Sequence, residues 1–172
     1  MLEPHAVAAC LVREAGGILI GRTRLQKIAC LAKLAGLLDT FEFEYRHYGP
    51  FSESLAASMD IAAELNFVEE RENQASWGGW YSVYRITNQT PPTENDQRSN
   101  LLTQAAKIGA IHLELAVTAA FLHVNERLDG PAAWAETARR KPEKALGNRL
   151  EEAQAAYRQL LPILTPTPLP KI

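Results

Sequence analysis

The amino-acid sequence predicts a mainly α protein with a small β-hairpin: a winged-helix-like N-terminal domain followed by a C-terminal helical bundle. Three observations predict it. Apolar residues recur at spacings of three and four across residues 23–38, the pattern of an amphipathic helix. Short strand-like runs are confined to residues 41–87, and everything after Pro91 and Pro92 has helical patterning. With 172 residues, 47% of them hydrophobic and 22% charged, the chain has the usual composition of a globular protein and the length for one good core or two small ones.

Taken in order, the first helix runs from about Pro4 to Glu14, with Gly16 and Gly17 as its stop and the apolar Ile18, Leu19 and Ile20 as a link to the next element. The second helix carries Leu25, Ile28, Ala29, Ala32, Ala35 and Leu38 on its apolar side, and Gly36 weakens its last turn. Residues 41–45 alternate aromatic and acidic side chains, as a strand with its aromatic face inward does. Tyr48, Gly49 and Pro50 then break the chain. Ser52 caps a third helix whose first turn carries Glu53, and residues 67–72 and 80–87 form a hairpin around a polar loop ending in Trp77, Gly78 and Gly79. Helix, helix, short strand, helix and hairpin follow each other as in a winged helix-turn-helix, with residues 73–79 as the wing tip.

The domain boundaries predicted from this pattern are 1–90 for the winged-helix-like domain, 91–99 for a linker, 100–163 for a helical subdomain and 164–172 for an extended tail rich in proline. Leu101–Val124 reads as one helix apolar on nearly every face, so it must be covered on more than one side. It either sits between the two halves or forms a homodimer interface. Gly130 and Pro131 open a shorter helix carrying Trp134, and Pro142 is expected to start the last, with Leu146, Leu150, Ala153, Tyr157 and Leu161.

No basic segment followed by an apolar run opens the chain, and the most apolar stretch, residues 108–124, is interrupted by His112, Glu114 and His123. A cytoplasmic protein with no membrane partner is expected. Cys10 and Cys30 lie on apolar helical stretches without paired spacing, so they read as reduced core thiols. No phosphate-binding loop, dinucleotide fingerprint or nucleophile elbow occurs, and neither a catalytic residue nor a cofactor is predicted. His123 and Glu126 stand one turn apart, but a zinc site needs three or four ligands.

Residues 21–28, containing Leu25, Gln26 and Lys27, followed by Tyr45, Arg46, His47, Tyr48, Gly49, Pro50, Phe51 and Ser52, resemble the YwgA-like family of uncharacterised prokaryotic proteins. The same residues resemble, more distantly, the Panacea (SocA-like) antitoxin domain, with its Leu-Gln-Lys helix and Gly-Pro turn. The resemblance covers roughly residues 20–87, with a weaker echo at Ala133, Trp134, Ala135 and Glu136 and at residues 140–144. It implies a winged-helix-like fold and a regulatory or antitoxin-type binding role, with no catalytic residues.

Candidate contacts fall into two groups. Trp77, Trp80 and Tyr81 at the wing, with Glu53 and Asp60 on the third helix, suit a protein partner, because exposed Trp and Tyr dominate interface energetics. Arg22, Arg24, Lys27 and Arg46 form a local basic patch that suits nucleic acid or phosphate, though they also read as a solvated helix start. Gln26 is expected to hydrogen-bond the backbone of the Tyr48–Gly49 turn. A second basic run, Arg139, Arg140, Lys141, Lys144 and Arg149, reads as a solvated helical face. Against DNA stands the third helix, which has Glu53, Asp60 and Glu64 and no Lys or Arg. Residues 1–90 hold eight Lys and Arg against eleven Asp and Glu, the wrong balance for a nucleic-acid module. The sequence therefore favours a non-catalytic module acting by protein–protein contact. A DNA-binding regulator is the alternative, and a small enzyme around Arg46, His47 and Tyr48 comes third.

Overall fold

Proline at the first helical position costs no hydrogen bond, and Pro4 opens helix α1 (Pro4–Glu14) in the computed structural model, which describes residues 1–172. Helices α2 (Arg22–Leu34) and α3 (Glu53–Glu64) complete the N-terminal trio. All three end alike. An N–H two residues beyond the last turn reaches back to an otherwise orphaned carbonyl: Gly17 to Val12 at 2.9 Å, Leu37 to Ala32 at 2.9 Å and Phe67 to Ala62 at 2.8 Å. The residue between must be left-handed, a position filled by Gly36 in α2 and by Asn66 in α3. Helix α2 thus stops short of residue 38.

The isoleucine-rich link after α1 is a strand, β1 (Ile18–Ile20), where only a connection was expected. It pairs antiparallel with β5 (Trp80–Ile86), which also pairs with β4 (Val68–Gln74), giving a three-stranded sheet in the order β1-β5-β4. A second, two-stranded sheet joins β2 (Glu44–Arg46) to β3 (Gly49–Phe51). Gly49 and Pro50 therefore do not break the chain; they form a strand opposite Arg46 and Tyr45. The expected strand over residues 41–45 begins only at Glu44, while Phe41 is fully buried in the preceding loop.

Residues 91–99 are not wholly linker, because Asn95 caps α4 (Asp96–Ala105) by accepting from the Arg98 N–H at 2.8 Å. The leading proline segment is stapled down as well. Arg13 donates to the carbonyls of Thr90 and Pro91 at 2.8 and 3.0 Å, and the buried Glu14 carboxylate receives Arg98 at 2.6 Å. The stretch Leu101–Val124 is two helices, α4 and α5 (Ala110–Glu126), with a break at residues 106–109. Arg24 serves that break: its guanidinium donates to the Ala106 carbonyl at 3.0 Å and to that of Ile108. It lies between the two halves, since α5 contacts α2, α6 (Gly130–Arg140) and α7 (Arg149–Arg158). Its apolar faces are covered within one chain, which removes the basis for a homodimer through this segment.

The last helix begins at Arg149 and not at Pro142, and Leu146, expected in its core face, is exposed. The proline-rich tail has no regular structure but is docked: Leu169 is buried, the Thr167 N–H donates to the Ala35 carbonyl at 3.0 Å, and the Tyr157 hydroxyl donates to Pro170 at 2.6 Å. One cluster of 38 buried apolar residues runs from Val7 to Leu169, so both halves share a core. No helix is long and apolar enough to cross a membrane.

Candidate functional site

The motif residues on α2 point inward, under the β2–β3 hairpin. The Gln26 side-chain amide grips one residue of main chain twice, donating to the Ser52 carbonyl at 2.9 Å and accepting from the Ser52 N–H at 2.8 Å. The expected partner was the Tyr48–Gly49 turn; Gln26 instead fixes the start of α3, where Ser52 caps the helix through Leu55. Leu25 is buried beside it.

Lys27 is 1% exposed, and its ammonium donates to the Pro50 carbonyl at 2.7 Å. It is therefore not the surface phosphate contact its place in a basic run implied. Burial depresses its pKa to about 8; Lys141 and Lys144 add to the depression and Glu114 opposes it. Glu114, itself buried on α5, takes Lys141 at 2.7 Å and also pairs with Lys144. Gly49 closes this cluster from above. At φ +87 it occupies the left-handed region, and a Cβ there would stand 2.5 Å from the Thr118 hydroxyl oxygen and 3.6 Å from the Lys27 nitrogen. Tyr48 and Tyr45 lie over Lys144 and Arg140, at 5.3 and 4.6 Å from ring centroid to charge. The Leu-Gln-Lys and Gly-Pro motifs are thus two halves of one clamp, joined to the C-terminal half where Tyr48 lies over Lys144 and Tyr45 over Arg140. Sequence reading missed Glu114, because it follows a helical spacing with no recognisable partner; Lys141 and Lys144 meet it only through the fold.

The other cations are engaged too. Arg22 donates from Nε and Nη2 to one Glu70 oxygen at 3.1 and 2.7 Å, a bond that raises its pKa. Arg24 is spent on the carbonyls between α4 and α5, and Arg46 on Glu44 and Glu53. The four residues do not form a free basic patch. In the C-terminal run, Arg139 and Arg140 both bind Glu136, holding its carboxyl down at about 2, and Arg140 also binds Glu126. His112, which interrupts the apolar stretch, is half-buried and pairs with Glu152 across α5 and α7 at 2.8 Å. His123 bonds the Leu128 carbonyl at 2.6 Å while Glu126 turns to Arg140, so these two do not converge.

A cavity of about 240 Å³ opens between α2, α3 and the β2–β3 turn, with Tyr84 of β5 among its lining residues. Leu25, Phe51, Ala56 and Met59 provide apolar walls, and Arg22 and Asp60 also line it. The enzyme reading placed chemistry at Arg46, His47 and Tyr48. Of these, only Tyr48 lines the cavity, while His47 stacks edge-on against Tyr48.

On the outer side, α3 and β4 present acids. Residues 53–72 contain Glu53, Asp60, Glu64, Glu69, Glu70 and Glu72 against Arg71 alone. Ile61 and Leu65 of α3 are exposed among them. The wing aromatics do not form one cluster. Strand residues alternate between faces, so Trp80 and Tyr84 share one side of β5 and Tyr81 lies on the other with Val83. Trp77 folds over Gly79 at the hairpin tip and is 80% exposed, and Trp80 is 65% exposed beside Arg22 and Glu72.

A helical protein with a small antiparallel sheet, a clamped hairpin and an acidic, aromatic-edged face is the class that fold and site define. Over 87 residues the chain is 32% identical to the uncharacterised protein YwgA of Bacillus subtilis (strain 168), a match covering 51% of this chain and 50% of that protein. The chain thus spans about half the length of the curated relative it matches. The resemblance to YwgA-like proteins is supported over that half. No family model matches the chain, and no solved structure matches it significantly.

Proposed function

We propose that this protein is a non-catalytic binding module of antitoxin or regulatory type, holding a basic protein partner against the face made by α3 and the β4–β5 hairpin. The observation that carries this reading is charge: the six carboxylates of residues 53–72 outnumber the three arginines bonded among them, Arg22, Arg46 and Arg71, and leave Asp60 and Glu64 without an ion pair, with the exposed Trp80 at the edge. Such a face repels phosphates and complements a basic cleft, and a protein that itself acts on nucleic acid has such a cleft. Trp80 supplies the large apolar anchor that interfaces concentrate their energy on.

The winged-helix-like reading rests on the order helix, strand, helix, short β2–β3 hairpin, helix, β4–β5 hairpin, with β1 completing the sheet beside β5. In that arrangement α3 takes the place of a recognition helix. Its carboxylates stand where a DNA reader needs cations, and Arg22, Arg24, Lys27 and Arg46 are occupied elsewhere.

Affinity purification of the tagged chain from its native host tests the proposal, alongside two folded variants, Asp60→Lys with Glu64→Lys and Trp77→Ala with Trp80→Ala. The expected result is one stoichiometric basic protein, lost in the charge variant and weakened in the aromatic one. Discrete DNA fragments without a protein partner, or a partner indifferent to both variants, would overturn it.

A further inference from the structure

The three-stranded sheet has two edges, and they differ. Strand β1 is three residues long, and its outward Ile20 carbonyl already accepts from Arg24 Nε at 3.2 Å. Strand β4 is seven residues long, lies last in the order β1-β5-β4 and keeps unbroken register with β5 from Val68 to Gln74, without proline, lysine or bulge to blunt it. The Ala75 N–H donates to the Gly79 carbonyl at 2.7 Å, and antiparallel bonding alternates, so Asn73, Arg71 and Glu69 turn their main chain to β5. The N–H and C=O groups of Glu70, Glu72 and Gln74 therefore point away from the sheet, where no strand meets them. We propose that β4 is a template for strand addition: an extended, basic segment of the partner pairs antiparallel with it as a fourth strand. This rests on the basic partner proposed above and adds how that partner is held.

Charge decides what the added strand carries. Side chains alternate across a strand, so Glu70 and Glu72 share one face. A groove of about 450 Å³ runs beside them, with Glu69, Glu70 and Glu72 against Arg22 as its charged lining. Arg22 is held on Glu70 at 2.7 Å, whereas Glu72 stands 3.9 Å from that guanidinium and its side chain is 66% exposed. A second copy of β4 is a poor occupant. Antiparallel self-pairing centred on Arg71 sets Glu70 opposite Glu72, and like charges directly opposite each other destabilise a pair. A segment with lysine or arginine at alternate positions sets its cations over the groove while its backbone takes up the free groups. Main-chain bonds then supply affinity and the alternate side chains specificity.

A capped hexapeptide alternating lysine and valine is titrated into the isotope-labelled full chain, in parallel with the same peptide N-methylated at its lysines, the residues set opposite Glu70 and Glu72. The expected result is slowed exchange and saturable shifts at the amides of Glu70, Glu72 and Gln74, with those of Glu69, Arg71 and Asn73, already bonded to β5, little changed. The methylated peptide binds about tenfold more weakly, the range for losing main-chain hydrogen bonds. Glu72→Pro loses no bond to β5, because that N–H faces outward, yet weakens the peptide by about tenfold. Glu72→Thr removes the same charge, keeps the N–H and stays within about fivefold of wild type. Protected β5 amides verify that the proline variant is folded. Equal binding of the methylated peptide, equal effects of the two variants, or no shift along β4 would each overturn strand addition. So would a basic protein recovered from the native host that is lost with Asp60→Lys and Glu64→Lys but kept by Glu72→Pro, which would leave the docking face itself standing. A peptide that adds to β4 when the host yields no basic protein would support the template and overturn the wider reading alone.

Discussion

Gly49 and Lys27 show how a single residue can carry the clamp. Replacing Gly49 by alanine forces a side chain into a left-handed backbone and against Thr118, two penalties that together come to about 2–4 kcal/mol. Denaturant unfolding of Gly49→Ala measures this directly, as a lower midpoint. Lys27 makes a pH prediction. Its folded value of about 8 lies below the ordinary 10.5, so between these two pH values the unfolded chain holds a proton that the folded chain has released. Unfolding then takes up a proton, and the contribution of Lys27 to stability rises with pH from about 8 to 10.5, and is lowest below that window. Glu114, Lys141, Lys144 and Cys30 act on the same ammonium, so the informative quantity is the difference between wild type and Lys27→Met. That difference is flat below pH 8 and moves in favour of wild type above it; a difference independent of pH to 10.5 would contradict the assignment. Glu114→Ala leaves Lys141 buried without its carboxylate, which costs about 3–5 kcal/mol in the same assay.

Among the elements, the linker is the most instructive. Pro91 and Pro92 mark a chain that is neither helix nor strand, and the sequence conveyed that much. It could not convey that Arg13 and Glu14, at the end of α1, hold the segment to the body through Thr90, Pro91 and Arg98. Arg98→Ala strands the Glu14 carboxylate inside the protein. The expected loss is about 3–5 kcal/mol, with new protease cleavage between residues 90 and 96; unchanged stability and protection would show that the staple is dispensable. Helix starts were legible where capping chemistry is local, as at Pro4, Ser52 and Gly130. Strand β1 was not, because three residues are too few to show alternation and its partner lies some sixty positions away in β5. The split between α4 and α5 was hidden for a related reason: the apolar pattern runs on through Ile108, and the arginine that accommodates the exposed carbonyls comes from α2. Likewise the basic residues at 22–27 read as a patch in sequence, while their partners Glu70, Pro50 and the α4–α5 break are distant along the chain.

At the scale of the whole molecule, one core through both halves makes the protein a rigid platform with an acidic outer face, and the central claim is that a basic protein docks there. The attraction between exposed charges is screened by salt, so association should slow and weaken as ionic strength rises, and Glu64→Lys should weaken it further. Amide hydrogen exchange on the chain alone and in the complex recovered from its host tests the claim most directly. The account predicts slowed exchange confined to α3 and the β4–β5 hairpin, with α7 and the tail unchanged. Protection centred instead on the start of α2, on the C-terminal helices, or nowhere along residues 53–86 would contradict it.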